Sequence, residues 1–396
     1  VSLAVNTVAP TVAITSSATT LGSNDTAVIS FVLSADSVDF IEADIAATGG
    51  TLSGFSGSGS TYSVIFTPTA DSTTPGQISV AEDKFEDADG NKNLAGALAT
   101  AITIDTVAPT TTIESPSPAS VGIGETSTVT ITLGKPSTDF AIGDIAVAGG
   151  TLSDFVAVSS TVYTVVFTPD ADSTTSGTIN VPAGVFTDAA GNDNAAATEK
   201  TITVDTVAPE VTVSSNVASV ATGGTATISF TLSEASTDFV LNDVVVTGGT
   251  LGTWDANSAP TYTAVFTPEA DFVGAATITV PAAAFSDSAG NDNTSGAVSL
   301  AVNTVAPTVA ITSSATTLGS DETAIITVTL SSPSTTFATG DISTTSGTIS
   351  GFTAVSSTVY TAVYTPATSS STPAIISVAA SAFTDLDGND NLAGSL

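Results

Sequence analysis

The chain has 396 residues, among them 38 acids, four lysines and no arginine, histidine, cysteine or methionine, for a formal net charge of −34 with 42% hydrophobic residues. That balance excludes nucleic acid as a partner, since phosphate neutralisation needs clustered Lys and Arg, and it disfavours anionic membrane surfaces. Without thiol or imidazole any metal must be held by oxygen, and no apolar run approaches the roughly 20 residues of a membrane-spanning helix, so no direct membrane insertion is expected.

The hydrophobic content is enough for a buried core in each of several domains, and β-branched and aromatic residues recur in alternation, so the acidity is not that of a disordered tail. A charge of this size repels itself unless salt screens it or bound ions neutralise it. Cations are therefore the expected partners.

Residues 1–5 read as the last strand of a preceding domain, because they match residues 298–302. The identity extends from residues 1–23 to 298–320, the mark of a duplicated three-domain block in a longer array. Two readings fit these ends: a window cut from a longer polypeptide, or a leading strand that completes the last domain of another copy by strand addition.

At residue 6 a repeating unit begins. The pentapeptide Asp/Asn-Thr-Val-Ala-Pro stands at 6–10, 105–109, 205–209 and 303–307, a period of about one hundred residues, which is the size of one sandwich domain. The expected domains are 6–104, 105–204, 205–302 and 303–396, the last lacking its final strand. Proline fixes its own φ and biases the residue before it toward extended geometry, so each linker is expected to be short and stiff.

Along each unit the same landmarks follow in order. Asp25, Glu125 and Glu322 sit at the turn before the second strand. Ile29, Phe31 and Leu33 alternate with small residues, which predicts a strand with one buried face. Asp44, Asp144, Asp243 and Asp341 recur at one position. The pairs Gly49-Gly50, Gly149-Gly150 and Gly248-Gly249 predict tight turns with φ > 0. A strand ending in Phe/Tyr-Thr-Pro follows, with Tyr62 and Phe66, Tyr163 and Phe167, Tyr262 and Phe266, and Tyr360 and Tyr364 four residues apart. No sustained 3.6-residue period occurs. The prediction is an all-β chain of four tandem immunoglobulin-like β-sandwich domains in an elongated array.

Each unit then reaches Phe-x-Asp-x-x-Gly-Asn-x-Asn, starting at Phe85, Phe186, Phe285 and Phe383. Oxygen-bearing side chains at alternate positions around a glycine can curl about one hard cation. The candidate ligands are Asp87, Asp89, Asn91 and Asn93; Asp188, Asn192 and Asn194; Asp287, Asn291 and Asn293; and Asp385, Asp387, Asn389 and Asn391. The linker acids Asp105 and Asp205 are expected beside them, with Asp44, Asp144, Asp243, Asp341, Asp25, Glu125 and Glu322 as further candidates. An ordinary β-turn has the same Asp-x-x-Gly-Asn signature, but four copies on so negative a chain favour Ca2+. Asn6 and Asn303 replace the linker acid and predict weaker or differently built sites.

No enzyme is expected, since the acids repeat in every unit whereas a catalytic cleft occurs once. Trp254 is read as packing rather than a sugar-stacking platform.

These motifs, with Asp139 to Ile145, Gly-Gly-Thr-Leu and Phe-Thr-Asp-Ala-Ala-Gly-Asn-Asp-Asn at 186–194, resemble the bacterial immunoglobulin-like repeats of giant repeats-in-toxin-type adhesins and biofilm proteins. The fourth unit departs, with Thr336 for the Asp and Ser346-Gly347 for the glycine pair. The resemblance implies extracellular extender modules at the bacterial cell surface, with calcium near the linkers and a distal binding domain beyond. The alternative is a subunit of a self-assembling filament or surface layer, with other copies of the chain as partners in addition to the neighbouring domains.

Overall fold

The structure, a computed structural model, describes residues 1–396, the side chain of Asn257 excepted. The chain forms two compact units, Val1–Val207 and Ala208–Leu396, each holding two repeats.

In the first unit the second repeat is a two-sheet sandwich. Its first sheet runs in the order Gly150–Ala157, Val162–Pro169, Ser127–Leu133, Thr111–Ile113, all antiparallel. The other runs Ser120–Val121, Lys200–Val204, Gly177–Asn180, Ala146–Ala148. Strand Ser127–Leu133 shows why: Val129, Ile131 and Leu133 are buried while the threonines between them face outward, the period of two that a half-buried strand needs. After Thr111–Ile113, Pro116 and Pro118 cannot donate to a ladder, and the chain crosses to the opposite sheet, where Ser120–Val121 pairs parallel with Lys200–Val204. The core closes around Phe167 and Phe186, at 0% and 1% exposure.

The first repeat follows the same plan, with Val12–Ser16, Ala27–Ser37 and Gly50–Pro68 in one sheet and Ile45–Thr48, Gln77–Val80 and Gly96–Ala97 in the other. Ile29, Phe31, Leu33, Tyr62, Val64 and Phe66 are all buried, as their alternation requires. Residues 1–5 form no strand here, and Val1, Leu3 and Val5 are exposed.

In the second unit the third repeat pairs Val211–Ser215, Ala226–Leu232, Thr261–Pro268 and Gly249–Ser258 in one sheet, and Ser219–Ala221, Gly296–Asn303, Val273–Val280 and Val245–Thr247 in the other. The fourth has Val309–Ser313, Ala324–Leu330, Val359–Thr365 and Thr348–Ala354 over Ile342–Thr344, Ile376–Val378 and Gly394–Ser395. Each repeat has its own hydrophobic cluster with no residue shared between repeats. The chain is thus nearly all β, as four immunoglobulin-like sandwiches.

The two glycines of a pair do different work. Gly149 takes φ of 71° at the turn, whereas Gly150 is required for space, since a Cβ there would lie 2.3 Å from the Thr168 carbonyl and 2.6 Å from the Phe167 ring. Trp254 packs as expected: it stacks on Tyr262 at 5.6 Å and 21°, the position at which Phe155 stacks on Tyr163 and Phe352 on Tyr360.

One group of expected ligands has a local task instead. Asp44, Asp144, Asp243 and Asp341 end one-turn 3-10 helices, each accepting the N–H of the residue three earlier, Ile41, Ala141, Val240 and Ala338, at 3.0, 2.8, 2.7 and 2.8 Å. Asp25, Glu125 and Glu322 likewise accept the N–H of Gly22, Gly122 and Gly319 at 2.8, 3.0 and 2.8 Å. Short acidic side chains satisfy turn N–H groups that the backbone leaves unpaired. These seven acids therefore act as turn-closing residues in the structure, each through one carboxylate oxygen.

Candidate functional site

The oxygen-rich loop folds first as a turn. In the second repeat the Gly191 N–H donates to the Asp188 carbonyl at 3.0 Å, and Gly191 takes φ of 78° to allow it. Asp188 Oδ1 accepts the N–H groups of Ala190 and Asn192 at 2.9 and 3.0 Å, and its Oδ2 accepts the Asn192 amide at 3.0 Å. Asp87, Asp287 and Asp385 hold their loops in the same way, with Oδ1 accepting from the residues two and four ahead at 2.8 to 3.0 Å. The turn chemistry and the ligand chemistry read from the sequence therefore compete for the same oxygens, and the turn takes Oδ1 in every repeat.

The last asparagine of each loop spends its side chain on hydrogen bonds to the backbone around it. Asn194 Oδ1 accepts Val185 N–H and Phe186 N–H at 2.8 and 3.1 Å, and its Nδ2 donates to the Pro182 and Ala195 carbonyls at 2.7 and 2.9 Å. Asn93, Asn293 and Asn391 repeat the pattern. An amide oxygen has two lone pairs, and both are taken. These buried asparagines clamp the loop to the core.

The remaining loop residues face the linkers. Within the first unit Asn192 joins both repeats to the linker between them: Nδ2 donates to the Asp105 carbonyl at 2.8 Å, and Oδ1 accepts Ser23 N–H of the first repeat at 2.7 Å. In the second unit Asn389 does the same with the Asn303 carbonyl at 3.0 Å and Thr222 N–H at 2.9 Å. The linker is also tied back to the repeat it leaves. Thr106 Oγ1 donates to the Thr69 carbonyl at 2.7 Å and accepts Ser72 N–H at 2.9 Å, and Thr206 and Thr304 are held alike. The linker proline carbonyls accept from the repeat ahead, Pro109 from Ala195 N–H and Pro307 from Leu392 N–H. Nothing singled out the linker threonines in the sequence beyond their recurrence in all four pentapeptides.

Charge at the linker is handled in two ways. Where the linker begins with asparagine, its amide donates to a loop carboxylate, Asn6 to Asp89 at 2.8 Å and Asn303 to Asp387 at 2.6 Å. Where it begins with Asp105, the ammonium of Lys135 lies between two carboxylates, 2.7 and 2.9 Å from Asp105 and 2.8 Å from Asp188, whose side chain is only 2% exposed. Asp105 and Asp188 are the pair expected to share a calcium ion, and the structure brings them together around a lysine. At the third linker Asp205 accepts Val207 N–H at 3.3 Å and donates its own N–H to Val121 at 3.1 Å. In the second unit Glu234, at the sequence position of Lys135, brings a carboxylate oxygen within 4.8 Å of one on Asp287.

Ionisation follows this geometry. Burial alone raises Asp188, but the Lys135 ammonium and the Asn192 amide outweigh it and hold the carboxyl below its usual range. Burial pulls Lys135 down, and its two carboxylate partners more than reverse that. Asp139 and Asp238, aspartates of the Asp-Phe motif whose role the sequence did not reveal, are also lowered, first by the hydroxyls of Ser137 and Ser236. Each spans to the oxygen-rich loop, where Thr187 or Ser286 donates to it. Thr336 accepts Thr384 N–H at 2.9 Å in the fourth repeat and does this job without a charge. A carboxyl lowered in the folded state stabilises fully above its unfolded value, about 3.9, and the contribution disappears as pH falls through the folded value. Urea midpoints should therefore drop on acidification below about pH 4, with a shallower drop in Asp139→Asn; equal slopes would remove Asp139 from the account.

Among the described residues no helix is long and apolar enough to cross a membrane. No curated protein matches the chain. Among solved structures it is similar to FdeC, an Escherichia coli adhesin, at 15% identity and a TM-score of 0.30 over 74% of this chain and 96% of that one. Invasin, a bacterial integrin-binding protein, gives 12% and 0.30 over 98% and 78%, and Yersinia pseudotuberculosis InvD gives 15% and 0.28 over 73% and 96%. At identities and scores this low the likenesses carry no argument about function. The sequence profile of the bacterial Ig-like domain matches residues 6–104, 105–204, 205–304 and 303–395. Matched along nearly its whole length by that profile, the chain belongs to the bacterial Ig-like domain family, as four such domains in tandem.

Proposed function

We propose that this chain is a spacer from a bacterial cell-surface adhesin, which holds a distal binding domain away from the cell. The observation that carries this reading is the linker fastened on both sides: Thr106 to the repeat before it, and Asn192 and the Pro109 carbonyl to the repeat after it. A linker hydrogen-bonded on both sides in this way resists hinging, which is what a spacer needs and what a free tether lacks. The absence of thiols and the large negative charge are compatible with an outside medium rich in cations.

Calcium belongs to this reading in a narrower form than the loop motif implied. In the first, second and fourth repeats the junction carboxylates are already paired with an amide or with Lys135. The third repeat carries acid at the lysine position, and Glu234 with Asp287 offers the hard oxygen donors that suit Ca2+. The linker acid at the corresponding sequence position is Asp205. An ion bound by Glu234 and Asp287 would neutralise those two acids.

Calcium titration of the full chain tests this by calorimetry and sedimentation. A ligand that binds only the folded state raises Tm, by an amount corresponding to about 2.7 kcal/mol at a hundredfold excess over Kd. The expected result is a raised Tm with a monomer throughout. Calcium-driven polymerisation would support the filament alternative, and an unchanged Tm would remove calcium.

A further inference from the structure

At the junction between the first and second repeats, a cation is present and it belongs to the chain. Lys135 Nζ donates to Asp105 Oδ1, Asp105 Oδ2, Asp188 Oδ2 and the Val107 carbonyl. These four oxygens come from the linker and from the loop of the second repeat, and each lies within 2.9 Å of the nitrogen. An ammonium can donate only three hydrogens, so four close oxygens describe a cage for a positive charge rather than a set of directed hydrogen bonds. Two carboxylates and a carbonyl converging on one point are also the donors a hard divalent ion selects.

The position of Lys135 varies through the chain while its surroundings recur. It is Ala35 in the first repeat, Glu234 in the third and Ser332 in the fourth. The linker residue varies with it. Where position 135 is neutral, the linker begins with Asn6 or Asn303, whose amide meets a loop aspartate. Where the linker begins with aspartate, the position is charged, as lysine in one repeat and glutamate in the other.

We infer that Lys135 is a tethered counter-ion that occupies a cation site formed by Asp105, Asp188 and the Val107 carbonyl, and that the residue at this position decides whether a junction needs a metal ion. The inference deepens the calcium reading given above and rests on it for the third repeat, but the second repeat can be judged independently. The first-to-second junction is closed to calcium because its cation is covalently attached, cannot be diluted away and is indifferent to chelators. An array that mixes such junctions with metal-dependent ones loses stiffness at chosen places when divalent ions are withdrawn, and keeps it elsewhere.

The test uses the full chain and calcium alone as the probe. Lys135→Glu removes the ammonium and supplies a further carboxylate; isothermal titration should count one more bound calcium per chain than in the wild type. An unchanged count in a folded variant overturns the inference. Should the variant not fold, the wild type still decides: under reductive methylation, Lys135 should react several-fold more slowly than the exposed Lys84 and Lys92, with and without millimolar calcium. Labelling of Lys135 that rises with calcium would show the ion displacing it, and would overturn the inference. Glu234→Lys separates the two ideas. Loss of wild-type calcium binding in that variant supports the third-repeat site, whereas a wild type that binds none removes that site and leaves the Lys135→Glu comparison intact.

Discussion

Replacing Asn192 by alanine is expected to lower stability by about 2–3 kcal/mol, the cost of leaving partly buried partners unpaired where water recovers part. Asn192 is 1% exposed, and its loss strands the Ser23 N–H and the Asp105 carbonyl and removes one donor from Asp188, which keeps Lys135. Those partners lie in both repeats and in the linker, so the effect should be a loss of coupling. Differential scanning calorimetry of the full chain should show the cooperative transition of the first two repeats separating into two. A single transition shifted as a whole would mean that Asn192 only supports its own loop. Serine restores too little reach to rescue it; aspartate keeps the acceptor for Ser23 but places a second carboxylate against Asp188 and should be as harmful.

Asn194→Ala should cost a similar amount, about 3 kcal/mol, with a different distribution. Its four partners, Val185 and Phe186 N–H and the Pro182 and Ala195 carbonyls, all belong to the second repeat and flank the buried Phe186 ring. Unfolding should begin in that repeat alone. Hydrogen exchange should show lost protection within residues 181–195 and near-normal protection in the first repeat. Loss of protection spread evenly through both repeats would contradict the division between clamp and connector. The pair of variants therefore separates two asparagines that stand two positions apart in one motif and look equivalent in sequence.

That pair also shows where sequence reasoning stopped. Strand identity was legible because burial on a sheet follows a period of two, a property of the local backbone. Ile29, Phe31 and Leu33, or Tyr62, Val64 and Phe66, could be assigned to a buried face from spacing alone, and all six are buried. The repeat was legible because a hundred-residue unit carried the same pentapeptide and the same loop each time.

The role of each oxygen was not legible. Asp87, Asn91 and Asn93 differ in which way their side chains leave a turn, and that direction depends on where the buried Phe85 fixes the loop. The seven acids that close local turns and the four asparagines that clamp loops carry the same donor atoms as a calcium site, so composition alone could not tell them apart. Asp39, Asp139 and Asp238 each reach an N–H 47 or 48 residues away in sequence, a pairing that no local pattern announces.

From its order of residues alone this protein is determined to be acidic, all β, repeated four times and joined by short linkers that end in proline, because charge, alternation and period are additive along a chain. Only the tertiary structure decided that Lys135, 30 residues beyond Asp105 and 53 before Asp188, sits between them. Electrostatic pairing depends on distance in space, and the fold of the sandwich, not the chain, sets that distance.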